Sequence, residues 1–570
     1  MLTVGDSSAH GRLGPHAIHQ SPGIATGRHS DVAGERNAEA ADRAVAHALG
    51  GHKIMLKAAE HALAHQERQA GGEDRKQLSV ARRQINFLTE NPAYSQEEER
   101  YKVWPTNEDR SPFRAVMECD VTAPVAQTSR MAEAYWFFRE NFSKYLTGVD
   151  GEKRAQALAS AFKDHLRVIV LDLDASDEPQ AIFETLNAHG TPLLPTDLIK
   201  NWLLWEATRQ KLDLTKLYDK FWRLFDRDHE YWRKRVGVGH AARARVDTFL
   251  QNWLTKETVE LVSTKHLYDR FLRHMKVQSD AAGNKLVDVE VVMLSIREDA
   301  DRYYRIDHPL VKTRFDEFLR RLKVLDVVVL HPPILALMNR AGSDQADLDA
   351  VAETLESYLV RRMVCGYQTR GYGTLALSLL KAITAAPTGL AVAEVVRSFL
   401  RAQERSTDAW PSDTMFRNEW LRRRFYGGLR RERVVMILQA LEEAYQRESD
   451  KGEPIMKFDF SKLQIEHIMP QKWHEYWPLE EASAEERDML LHGIGNLTLI
   501  SDKLNPSLSN APWSSSSATS KRKGLEKHSK LELNRRLLAQ DGPWDHATIA
   551  ARSAALFEKA RLIWIECPKV

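Results

Sequence analysis

Apolar residues recur at three- and four-residue spacing through most of the chain, and that period predicts helices. The run QLSVARRQINFLTENP, starting at Gln77, keeps the helical period and stops at Asn91-Pro92. Residues 38–68 are rich in alanine and predict one helix, or two interrupted at Gly50-Gly51. Asp109 is expected to cap a helix through Met117, and residues 130–147 and 152–165 read as amphipathic helices. Ala181–Leu186 reads as helix, ended by Asn187–Gly190, whose residues tolerate positive φ. Thr196 or Asp197 is expected to cap the next helix, through Trp205. From residue 206 to 450, stretches such as FWRLFD, HLYDRFLRHM and TRFDEFLRRLKVLDVVVL place aromatic and leucine residues as core stripes. Pro332-Pro333 is expected to separate two helices, and Asp349–Arg362 to begin another. Two helices split by Gly542-Pro543 close the chain.

Strand signals are few. Tyr101–Trp104 reads as a short strand and RVIVLDLD, Arg167–Asp174, as a buried one. Lys462–Ile468 and Asn496–Ser501 are apolar-rich strands late in the chain. The fold class is therefore α+β, predominantly α-helical. Residues 1 to 50 lack apolar periodicity and are rich in Gly, Ala, Ser and His, so disorder is the expectation there. Texture changes suggest a low-complexity or aberrant N-terminus over 1–75, then segments 76–205, 206–450 and 451–570.

Composition narrows the function classes. At 570 residues the chain needs more than one core. A net charge of +2 neither demands nor excludes nucleic acid, so any DNA footprint must be local. Cys119, Cys365 and Cys567 form no CxxC pair, which argues against a disulfide framework or zinc-thiolate site and fits a reducing cytoplasm. No apolar run is long enough for a membrane span and no signal-peptide core precedes residue 50. His10, His16, His19 and His29, and later His229, His240 and His266, lack ligand spacing.

The chemistry concentrates between Lys462 and Lys523. The first late strand ends in Glu466-His467 and is stopped by Pro470; the second opens at Asn496 and is followed by Asn505 and Asn510 in a segment that could open a short helix. A carboxylate, an imidazole and downstream amides suit a one-metal phosphodiesterase: oxygen ligands hold a cation, and a neutral histidine beside it deprotonates water. Taken singly, each residue has an ordinary structural role, the histidine as a hydrogen-bonded strand end and the asparagines as turn residues or caps.

This stretch resembles the HNH (ββα-metal) nuclease domain that closes the GmrSD-type restriction endonucleases. EHIMP at Glu466–Pro470 and GNLTLI at Gly495–Ile500 carry the resemblance. It implies that His467 is the general base, that Asn496 braces the loop aiming the imidazole, and that Glu466 and Asn505 hold a divalent metal. Mg²⁺ is expected from oxygen-rich ligands, with Mn²⁺ as a substitute. Residues 178–205 resemble the family's N-terminal domain through Phe183, Asn187, Gly190, Leu193, Asp197 and Lys200. That implies a partial ParB-like domain connected with nucleotide binding and hydrolysis. The family's Asp-Gly-Gln-Gln-Arg signature is absent from this sequence. The expectation is that the chain starts downstream of it, which argues against NTPase activity and leaves a nucleotide cofactor open.

Two basic clusters are candidate DNA contacts. FRNEWLRRRFYGGLRRERV, Phe416–Val434, includes Arg422, Arg423 and Arg424 between aromatics; Lys521, Arg522 and Lys523 lie beside the site. The resulting expectation is a cytoplasmic, metal-dependent DNA endonuclease of a modification-dependent or phage-defence restriction system. It would cut DNA, modified phage DNA included, with a homo-oligomer left open. The alternative is a catalytically impaired DNA-binding or regulatory remnant.

Overall fold

The computed structural model describes residues 34–90, 100–101, 110–148, 150–166, 194–237, 242–281, 286–310, 312–342, 344–403, 408–449, 459–473, 483–501, 511–514 and 520–567. They are mostly helical and divide into two compact units, residues 1–194 and 195–570. The expected helix over Ala181–Leu186 and strand over Arg167–Asp174 lie outside the described residues.

In the first unit α1 (Gly34–Gln69) runs unbroken past Gly50-Gly51, so the one-helix option holds. It is followed by α2 (Gly72–Thr89), α3 (Arg110–Met117), α4 (Arg130–Leu146) and α5 (Gly151–Ser160). The boundary expected near residue 75 is not structural. Leu56, Ala59, Ala62 and Leu63 of α1 share a core with Leu78, Ala81 and Ile85 of α2. Of the strand expected over Tyr101–Trp104 only Tyr101 is among the described residues, and it forms an antiparallel bridge with Glu90.

In the second unit α6 (Pro195–Arg209) starts on proline, whose fixed φ and missing N–H suit a first turn. Thr196 does not cap it from outside: its backbone N–H and hydroxyl both donate to Asp247, a buried residue of α7 (Arg245–Thr258). The helices that follow are α8 (Leu267–Ala281), α9 (Val289–Asp307), α10 (Arg314–Leu325) and α11 (His331–Ala341). Pro332 and Pro333 sit in the first turn of α11 rather than in a linker, because a first turn needs no N–H there. Then come α12 (Gln345–Val364), α13 (Tyr372–Ala385), α14 (Val392–Arg401), α15 (Asp413–Arg422) and α16 (Arg431–Ser449).

The late strands form an antiparallel pair, β1 (Leu463–His467) and β2 (Leu497–Ser501), with α17 (Ala484–His492) between them in sequence. After β2 come α18 (Lys521–His528), α19 (Glu532–Leu538) and α20 (His546–Ile563). No compact unit ends at residue 450, where a boundary was expected. Polar contacts cross that position deep in the interior. Glu356 of α12 accepts from the Trp564 indole at 2.9 Å, the Trp420 indole donates to the Ser553 carbonyl at 3.1 Å, and Glu442 accepts the Glu532 and Leu533 N–H groups at 2.9 and 2.8 Å. Each pairing satisfies groups that would be costly to bury alone, so the closing helices are bound into the helical region.

Candidate active site

The site is built on the β1–β2 pair. Its register sets Glu466 opposite Thr498 and His467 opposite Leu497, at the end of the ladder. Beyond His467 the chain leaves the ladder through Ile468 and Met469, both buried in a core with Leu491, Ile500, Trp513, Trp544 and Ile549. Asn496, fully buried, holds that exit in place. Its Oδ1 accepts from the Met469 N–H at 2.7 Å and the Trp544 indole at 3.0 Å. Its Nδ2 donates to the carbonyls of Met469 and Leu491, both at 2.9 Å. One amide thereby uses both donors and both lone pairs, tying the segment after His467 to α17 and to the turn before α20. Beside it Gly495 leaves room for no Cβ, which would run into the Ile549 carbonyl and the Ser553 side chain of α20. Arg552 of the same helix donates to the carbonyls of Gly495 and Leu497 at 2.6 and 2.8 Å.

His467 is buried, and its imidazole is flanked on two edges. Nε2 lies 3.3 Å from Nδ1 of His492, the last residue of α17, while Nδ1 lies 3.4 Å from the amide nitrogen of exposed Gln471. Burial, then the neighbouring His492 and Lys521, pull the His467 pKa down to about 3, so the ring is neutral. Tyr426 packs edge-on to His467, ring centres 4.5 Å apart, and stacks over His492 at 5.7 Å.

His492 was not singled out from the sequence, and Tyr426 stood out only among the aromatics of the arginine cluster, not as a neighbour of the site. His492 had a legible signal: it stands four residues before Asn496 and four after Asp488, so the aspartate shares its helix face. Tyr426 had none, since a distant segment delivers it.

The Glu466 carboxylate is paired with the buried Lys521 ammonium, which also donates to the His467 carbonyl at 2.7 Å. Burial pushes the Glu466 carboxyl up and the Lys521 ammonium down, each opposed by its partner. Lys521 is therefore not part of an exposed basic surface: it is a strut under the site, where its charge meets Glu466. Arg522 is directed to the carbonyls of Gln540 and Leu538 at 2.8 and 2.9 Å, whereas Lys523 is exposed. The arginine cluster divides likewise. Arg422 is exposed, Arg423 donates to the Val364 carbonyl at 2.8 Å, and Arg424 pairs with Asp488. Arg423 thus has an internal acceptor, which corrects its expected place on a DNA-facing surface.

Asn505, Asn187 and Gly190 lie outside the described residues. Asp197 and Lys200 sit on the first turns of α6 in a charge network with Arg233 and Asp226: Lys200 reaches Asp226 at 2.9 Å and Arg233 reaches Asp197 at 3.0 Å. Among the described residues no three His, Cys, Asp or Glu side chains converge as a metal cage. Glu466 offers the carboxylate chemistry a hard cation takes, with one oxygen already engaged by Lys521. No described helix is long and apolar enough to cross a membrane.

Fold and site together define a largely helical protein whose late strand pair presents a neutral, buried histidine beside an asparagine clamp. Comparison with known families places it further. Residues 410–559 match the C-terminal domain of the GmrSD restriction endonucleases, and residues 54–204 match the N-terminal domain of the same enzymes. The two matches cover just over half of the sequence. The chain belongs to the GmrSD restriction endonuclease family, a family of restriction nucleases whose substrate is DNA. No curated protein matches it.

Proposed function

We propose that the chain is a metal-dependent DNA endonuclease of a phage-defence restriction system, hydrolysing phosphodiesters at an HNH-type site centred on His467. The observation that carries this reading is a neutral imidazole at the end of a strand pair, held by the Asn496 clamp in a segment that matches the family's C-terminal domain. A neutral ring has a lone pair to take a proton from water. Burial alone makes it a weak base, and an anionic phosphodiester brought against it favours the imidazolium, strengthening it when substrate is bound. Glu466 and Asn505 are the residues that would hold Mg²⁺ or Mn²⁺. Such an ion would polarise a phosphate oxygen and stabilise the leaving oxygen. Exposed Arg422, Lys523, Lys527 and Lys530 offer charge for the DNA backbone. The N-terminal match suggests a ParB-like domain, with modified DNA as the target class.

The test is plasmid cleavage with Mg²⁺ or Mn²⁺, with and without nucleotide. The wild type is expected to cut, and His467→Ala to lose about a hundredfold or more while still unfolding in a cooperative transition. Equal cleavage by that variant removes His467 from the mechanism. Salt-dependent binding without cleavage by the wild type replaces the nuclease reading with that of a binding remnant.

A further inference from the structure

Two imidazoles facing each other through one nitrogen each can share only one proton when both are neutral. His467 Nε2 and His492 Nδ1 stand in that relation at 3.3 Å, both residues buried. Which of them carries the proton decides which nitrogen of His467 is basic. If His492 Nδ1 carried it, His467 would hold its own proton on Nδ1, the edge beside exposed Gln471. If His467 Nε2 carries it, the Nδ1 lone pair lies on that accessible edge.

The surroundings of His492 decide between the two. Its other nitrogen, Nε2, lies 3.5 Å from a carboxylate oxygen of Asp488. A carboxylate favours the proton on the nitrogen that faces it, and a neutral His492 has only one to place. Asp488 is steadied by Arg424 on its second oxygen. His492 is fixed from three further directions. It ends α17, whose start is secured by a capping box between Ser483 and Glu486. Its carbonyl accepts the N–H groups of Phe425 and Tyr426 at 3.0 and 3.1 Å. The Tyr426 ring lies nearly parallel over its imidazole, 14° between planes.

We propose that His492, oriented by Asp488, is a positioning residue that holds His467 as the Nε2–H tautomer and so makes Nδ1, beside Gln471, the nitrogen that accepts the proton from water. This rests on the nuclease reading for its purpose, and for its tautomer on the placement of the two imidazoles and of the Asp488 carboxylate that faces His492. It also gives the Arg424–Tyr426 segment a role distinct from DNA contact: it forms the wall behind the histidine pair.

The tautomer is read directly from two-bond ¹H–¹⁵N correlation spectra of the full chain labelled at histidine, the His467 signals assigned by loss in His467→Ala. The expected result is His467 protonated on Nε2 and His492 also protonated on Nε2. Finding His467 protonated on Nδ1 overturns the proposal, whether or not the protein cuts DNA. In Mg²⁺-dependent cleavage, His492→Phe is expected to lower kcat roughly a hundredfold, at the low end of general-base contributions, with little change in KM. His492→Asn, whose amide oxygen can accept at the Nδ1 position, is expected to recover most of that loss. Asp488→Asn, at an exposed position, is expected to lower kcat by letting the His492 tautomer reverse. Equal kcat in His492→Phe and the wild type overturns the positioning role. A wild type that cuts nothing with either metal ion sinks the nuclease reading instead, and the spectra still judge the tautomer.

Discussion

Replacing Asn496 with alanine should be the most damaging single change near the site, and its cost can be worked from the contacts. The side chain is fully buried and makes four hydrogen bonds, to the Met469 N–H, the Met469 carbonyl, the Leu491 carbonyl and the Trp544 indole. A typical net contribution is about 1 kcal/mol per bond, and more where the abandoned partner stays buried and unsatisfied. Water entering the vacated space offsets part of that excess. The expected loss is therefore about 4 kcal/mol, a large share of the roughly 5–15 kcal/mol that holds a domain together. Equilibrium urea denaturation of the full chain measures it, read as a lower midpoint of the transition that includes the second compact unit. Asn496→Asp is the companion variant. It keeps the acceptor but sets a carboxylate against two carbonyl oxygens, so it should be no better than alanine. A loss below about 1 kcal/mol for Asn496→Ala would refute the claim that this amide ties the His467 exit to α17. It would leave the loop held by apolar packing alone.

Three further outcomes follow from the same contacts. Lys521→Met should destabilise by about 3–5 kcal/mol by stranding the buried Glu466 carboxylate, and the double variant Glu466→Gln/Lys521→Met should recover much of it in a denaturation cycle; additive losses would show that the pair is not coupled. Gly495→Ala should force α20 away from the turn before β2, since the new Cβ meets the Ile549 carbonyl; a wild-type melting temperature would contradict that contact. Glu356 governs acid stability: burial alone would raise its pKa, but Arg321, Arg314 and the Trp564 indole overcome this and hold it at about 2 against an ordinary 4.5. A depressed carboxyl stabilises the fold above 4.5, and the contribution, about 3 kcal/mol, is lost as pH falls toward 2. Stability measured against pH should therefore drop across that window in the wild type and flatten in Glu356→Gln; an unchanged acid limb in the variant would assign the drop elsewhere.

Much of the local structure was legible because it depends on neighbours in sequence. Helical periodicity located α2, α4, α5 and the closing helices, and apolar-rich runs located both late strands within a residue. The motif residues Glu466, His467 and Asn496 stood out because strand ends and turns concentrate polar side chains among apolar ones. What the sequence could not show was the sign of an environment. Lys521 and Arg423 read as surface charge, yet one is buried against Glu466 and the other points at the Val364 carbonyl. Burial of a charged head depends on which distant groups meet it, and no local pattern encodes that.

Local pattern was enough for the helical class, the two late strands and the chemical types gathered at their ends, since period and turn chemistry act over a few residues. Tertiary packing set the helices before and after residue 450 in one unit, because Glu356, Trp420 and Glu442 reach across it to the Trp564 indole, the Ser553 carbonyl and the Glu532 and Leu533 N–H groups. It also decided that His492 and Tyr426 flank His467. Those three side chains come from separate segments, and only packing in three dimensions sets which nitrogen faces which.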